Sequence, residues 1–213
     1  MQANEVIDRV RFVLRDDPSQ ARWNDDELLL WLQDGCDAIG NASPDDVGIQ
    51  VMLNLSDSNH QVLDVAYRRL LRLMRNTDGS TIRRVNRYAM QSVEGLYQDY
   101  NGAKAISDYW FDETSGTDFW VYPKPLRGVQ VFAYVSPYQT VLNSLTSMLL
   151  VPSAYRAALV DYVLSAAYSK DADYANNLAL ASAYAQSFFQ KTGIKLQGEV
   201  NQPAPENGQV KQR

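Results

Sequence analysis

HQVLDVAYRRLLRLMRNTDGSTIRRVNRY, residues 60–88, is the stretch whose reading decides the fold. Leu63, Tyr67, Leu70, Leu71 and Met74 share one face at helical spacing, which would make residues 61–75 a helix. Thr77-Asp78-Gly79-Ser80 argues the other way, because Asp-Gly supplies the backbone of a tight hairpin turn. The turn favours two strands, at about 69–76 and 81–88, over one helix. With strands here, the middle of the chain is a β domain and the fold class is α+β.

Upstream the signals are helical. Val6, Ile7, Val10, Val13 and Leu14 fall on one face, and Asp16-Asp17-Pro18 ends that segment. Asn24-Asp25-Asp26-Glu27 reads as a helix start, with Asn24 as cap and Glu27 reaching back to complete a capping box. Leu28, Leu29, Trp31, Leu32, Cys36 and Ile39 form the apolar side, with Gly40 as the expected left-handed stop.

Residues 49–55 (IQVMLNL) and 60–63 (HQVL) have strand character. Residues 106–113 and 117–122 are aromatic-rich runs around a glycine-containing loop, and 128–135 (GVQVFAYV) alternates as a third strand, so an antiparallel meander is expected. Met90 to Ala105 reads as a short helix followed by a loop. Pro152 opens a helix with Tyr155, Leu159, Tyr162, Val163 and Ala166 on one face. After a break at 169–171, a second helix places Tyr174, Leu178, Ala181, Ala185 and Phe188 or Phe189 on its apolar side and ends at Gly193. The last residues, GEVNQPAPENGQVKQR, lack the large apolar groups needed for a core and read as an extended tail.

Composition narrows the function. Cys36 is the only cysteine and His60 the only histidine, which removes disulfide frameworks, multi-histidine metal sites and most nucleophile–histidine dyads. No nucleophile elbow, phosphate loop, dinucleotide fingerprint or zinc-protease helix occurs, so neither catalysis nor a cofactor is expected. Acid pairs at Asp16-Asp17, Asp25-Asp26 and Asp45-Asp46 sit beside caps and turns, where dipole and turn chemistry account for them. No apolar run has signal-peptide or membrane-span character, so a soluble protein made in a reducing cytosol is expected. A net charge of -5 argues against a general nucleic-acid coat.

Seven arginines, Arg68, Arg69, Arg72, Arg75, Arg83, Arg84 and Arg87, crowd the expected hairpin. Two readings stay open: a solvated strand face that discourages edge aggregation, or a contact surface for an acidic neighbouring subunit or for passing DNA.

Four blocks in order resemble a known family. They are RWNDDELLLWLQDG (22–35), LLRLMRN (70–76), YWFDETSGTDFWVYPKP (109–125), and ALVDYVLSAAYSKDADYANN (158–177) with ASAYAQSFFQKTG (181–193). The chain resembles the head-to-tail adaptors, or connectors, of tailed bacteriophages, of the podovirus neck type. It departs from the family at Leu63-Asp64, where Leu-Pro is usual, and at Gly95-Leu96-Tyr97, where Pro-x-Trp is usual. The resemblance implies that LLRLMRN is a central strand. It also implies helices at 1–47 and 139–193 forming a bundle, a small antiparallel sandwich or barrel at 48–138, and a tail at 194–213. It further implies a homo-oligomeric ring, commonly of twelve copies, in the virion neck. The ring would join the portal protein to tail or nozzle proteins around a channel for DNA. The tail, with Leu196, Val200, Pro203, Pro205, Val210 and Arg213, would dock on the portal. A tail-completion or stopper protein is the alternative within this class. A soluble helical binding module is a third, weakened by the β-rich middle.

Overall fold

The computed structural model describes residues 1–17, 21–89, 92, 102–171 and 175–194. They form a mixed α+β structure with two apolar cores, one between helices and one between two sheets.

The helical core is built from both ends of the chain. Helix α1 (Asn4–Leu14) buries Val6, Ile7 and Val10 and closes at Arg15, which is left-handed at φ 53°. Helix α2 (Asp25–Ala42) is capped by Asn24, whose side chain accepts from the Glu27 amide at 2.8 Å. The Glu27 carboxylate does not complete a capping box; it pairs with Lys170. Helix α3 (Arg156–Lys170), entered through a short 3-10 turn at Ser153–Tyr155, packs against α1, α2 and α4 (Ala175–Thr192). Leu28, Leu32, Ile39, Leu159, Val163 and Phe188 fill the space between them. The first residues are tied down as well: the Ala3 and Asn4 amides donate to the carbonyls of Ser147 and Leu145 at 3.0 and 2.8 Å. Helix α4 meets the core through Ala181 and Phe188, while Leu178, expected on the same apolar side, is 63% exposed.

The second core lies between a sheet of order β1-β7-β3 and one of order β2-β6-β5-β4. The strands are β1 (Ile49–Asn54), β2 (His60–Val62), β3 (Tyr67–Asn76), β4 (Arg83–Arg84), β5 (Asp108–Phe111), β6 (Asp118–Tyr122) and β7 (Gln130–Pro137). Leu70, Leu73, Val131, Ala133 and Val135 from the first sheet face Tyr109, Phe111, Phe119 and Val121 from the second. Two expectations are corrected here. The turn at 77–80 forms, with the Asn76 amide on the Ser80 carbonyl at 2.9 Å and Gly79 at φ 90°, but the residues beyond it do not fold back along β3. After one bridge between Arg75 and Thr81, the chain crosses to the other sheet, where Arg83 and Arg84 run parallel to β5. Ile82, buried in the core, and the Arg83–Asp108 ion pair hold it there. Nor is β7 the third strand of a meander: β5 and β6 pair, but β7 pairs with β1 and β3. Both β6 and β7 carry an apolar face, and stacking them in opposite sheets buries both at once.

The structure resolves the competing periods in β3. Its register against β7 slips at three places, between Tyr67 and Arg69, Leu70 and Arg72, and Leu73 and Arg75. Each slip inserts one residue as a bulge. Leu70, Leu73 and Asn76 are therefore buried at a spacing of three in an extended strand. A spacing of three sits between the periods of strand and helix, and this is why the same residues fit a helical face.

Candidate functional site

Among the described residues no group of three or more His, Cys, Asp or Glu is placed to hold a metal ion. Cys36 is buried, and desolvation, aided by Asp37, pushes its thiol up to about 12, so it is held as an unreactive thiol. His60 projects from β2 onto its register partner Trp120, with ring centroids 4.7 Å apart, and Trp120 in turn meets Trp110 at 4.4 Å. The His60 Nε2 lies 2.8 Å from Asp118, and this hydrogen bond is the main reason the Asp118 carboxyl is held below its ordinary value. These rings cover one another's faces, so the outward aromatics form a ladder along the sheet, not a platform for a flat ligand. The acid pairs serve local structure: Asp16 and Asp25 both bind Arg11 at 2.5 Å, and Asp46 accepts from Tyr155.

The structure divides the seven arginines. Arg68 is nearly buried; its guanidinium donates to Asp37 at 2.7 Å and to the Pro137 carbonyl at 3.1 Å, and lies over the Tyr138 ring. It fastens α2 of the helical core to the ends of β3 and β7. Gly40 makes this possible: a methyl group there would collide with the guanidinium. That is why Gly40 is a mid-helix glycine and not the expected cap, with α2 continuing to Ala42. Arg83 pairs with Asp108 at 2.7 Å, Arg84 with Glu113 at 2.5 Å, and Arg69 donates to the Glu113 carbonyl at 3.1 Å. Arg72, Arg75 and Arg87 make no ion pair among the described residues; they lie over the rings of Tyr134, Phe132 and Trp110.

Arg72 and Arg75 lie over the rings of their own register partners in β7. The bulges bring this about, since each extra residue returns the next arginine to the outward face. Behind them, Gly48 passes so close to the sheet that a Cβ would meet the Tyr134 ring at 2.5 Å and Leu71 at 2.8 Å. The sequence reading identified the arginines but missed Tyr134, Phe132 and Asp37 and gave Gly40 a different role, because nothing local signals which residues meet across the fold. One signal was legible and passed over: residues 128–155 contain no charged side chain. That run forms β7 and the linker to α3, with Val141 and Met148 exposed.

Leu196, Val200, Pro203, Pro205, Val210 and Arg213 lie outside the described residues, as does most of the stretch from Met90 to Ala105. No helix among the described residues is long and apolar enough to cross a membrane. No curated protein matches the chain. A family model described as SU10 adaptor protein matches residues 1–209. Matched over nearly its whole length, the chain belongs to the SU10 adaptor protein family, a family of phage head-to-tail adaptors.

Proposed function

We propose that this chain is a structural ring subunit of a phage neck, acting by assembly and without catalysis or a cofactor. The observation that carries the reading is the family match across residues 1–209. In this reading copies associate head to tail into a closed ring, commonly of twelve, between the portal protein and the tail or nozzle proteins, around the path of the DNA. The helices from the two ends of the chain form the bundle, and the sandwich between them in sequence forms the β domain. The Arg68 rivet supports this, since a rigid joint lets the subunit transmit load as one body. The segment 194–213, with Leu196, Val200, Pro203, Pro205, Val210 and Arg213, grips the portal by ordering on it. The arginine-bearing strands are the candidate contact with a ring neighbour or the DNA channel. The protein is synthesised in the host cytoplasm and resides in the virion neck.

Electron microscopy of the purified chain mixed with its portal tests the reading. A ring seated on the portal is expected, and the absence of any ring or complex, together with absence from purified virions, would overturn it. Truncation after Gly193 separates the two neck roles: lost portal binding marks an adaptor, whereas retained binding with failed tail attachment marks a stopper or tail-completion protein.

A further inference from the structure

The outward face of the β1-β7-β3 sheet is a regular grid. One row across the strands is Met52, Phe132 and Arg75; the next is Gln50, Tyr134 and Arg72. Met52 is 50% exposed, Gln50, Arg72 and Arg75 are exposed, and the two rings are half-buried beneath the guanidinium groups. The strands themselves, IQVMLN, YRRLLRLMRN and QVFAYVSP, contain no Asp, Glu or Lys.

We propose that this face docks an acidic segment of another protein, with Arg72 and Arg75 each taking a carboxylate while Met52, Phe132 and Tyr134 supply the apolar contact. The inference rests on reading the arginine-bearing sheet as a contact surface and chooses between its two candidate partners. Three observations favour a carboxylate-bearing protein over DNA. Arginine, aromatic residues and methionine without lysine or acid make up the composition of a protein interface centre. Arg75 and Arg72 lie 5.0 and 5.9 Å from the centroids of Phe132 and Tyr134, so each cation is attracted to a ring while its planar N–H fork suits a bidentate carboxylate. Two cations per copy replace few counterions, and counterion release is the main source of non-specific DNA affinity. The other cations of the set add little to this face: Arg68, Arg83 and Arg84 are paired with this chain's own acids, Arg69 donates to the Glu113 carbonyl, and Arg87 lies over Trp110 of the other sheet.

The test uses the full chain and two labelled probes of equal charge followed by fluorescence anisotropy: a short peptide alternating Glu with Tyr, and a DNA duplex. The peptide is expected to bind more tightly than the duplex. Arg72→Lys with Arg75→Lys, which keeps the charge and the fold, is expected to weaken the peptide on the order of tenfold. Arg83→Ala on the other sheet is expected to leave it unchanged. Tighter binding of the duplex, undisturbed by the lysine pair but lost in Arg72→Ala with Arg75→Ala, would overturn the proposal in favour of DNA. If neither probe responds to that alanine pair while circular dichroism shows the variant folded, the contact-surface reading itself fails.

Discussion

Arg68 and Arg72 are four residues apart, carry the same side chain and have opposite fates. Arg68 is an inserted residue at the first bulge of β3, turned into the joint between the cores, where its two terminal nitrogens donate to Asp37 and to the Pro137 carbonyl while Nε is left buried without a partner. Arg72 stays outside on an aromatic ring. Replacing Arg68 by methionine leaves the partly buried Asp37 without its cation, a loss of about 2 kcal/mol, less than a fully buried pair because Asp37 retains contact with water. Urea denaturation measures it, and a change no larger than that of Arg72→Met would remove the rivet account. Gly40→Ala is the complementary test. Helix propensity alone would favour alanine by up to about 1 kcal/mol, yet the collision with Arg68 predicts net destabilisation. In the Arg68→Met background the penalty should largely disappear, because the two changes share one contact.

At the scale of elements, α4 packs along α3, and Phe188 is its deepest anchor. Phe188 is fully buried, and Asp161 of α3 accepts from Ser187 at 2.6 Å and pairs with Lys191 at 2.5 Å. Phe188→Ala should therefore cost about 3–5 kcal/mol, whereas Leu178→Ser should change stability by no more than about 0.5 kcal/mol; thermal melts of the two variants make the comparison. A large loss from Leu178→Ser in the isolated subunit would mean that α4 packs on a different face. On the second sheet, the lowered Asp118 carboxyl adds stability above its unfolded value, and this is lost as pH falls through the folded value. Asp118→Asn should flatten the acid limb of the stability profile, and His60→Ala should do the same, since His60 is the first cause of the shift. Carboxyl titration by NMR checks the direction directly.

The whole molecule has two cores joined by Arg68 and by two stretches of chain, from α2 to β1 and from β7 to α3. Cys36 provides an internal reporter of its integrity. Because burial raises this thiol to about 12, it should label with a maleimide at neutral pH only through unfolding, at a rate that tracks urea. Rapid native labelling would show that the helical core opens on its own. The sign at alkaline pH also follows. A raised thiol adds stability that is complete below its ordinary value of 9.0 and fades as pH rises toward 12, because only the unfolded chain releases the proton in that interval.

Local pattern placed the helices, though it misread the Glu27 capping box, the Gly40 stop and the side of α4 that carries Leu178. The spacing of Val6, Ile7 and Val10, the Asn24 cap and the Gly193 stop are each written within a few residues of where they act, as helix contacts reach only three or four positions. The Asp78-Gly79 turn was legible for the same reason. The four blocks in their order also carried the family. What the sequence could not specify was which strand lies beside which: β7 leaves β6 for β1 and β3, and Arg83 crosses to β5. Strand pairing joins residues far apart in the chain, and it is decided by which arrangement buries both apolar faces. The functional surface depends on that choice. The arginines around the turn were visible from the start; only the tertiary structure turned Arg68 inward and laid Arg72 and Arg75 on Tyr134 and Phe132, because bulges in one strand set the register against another.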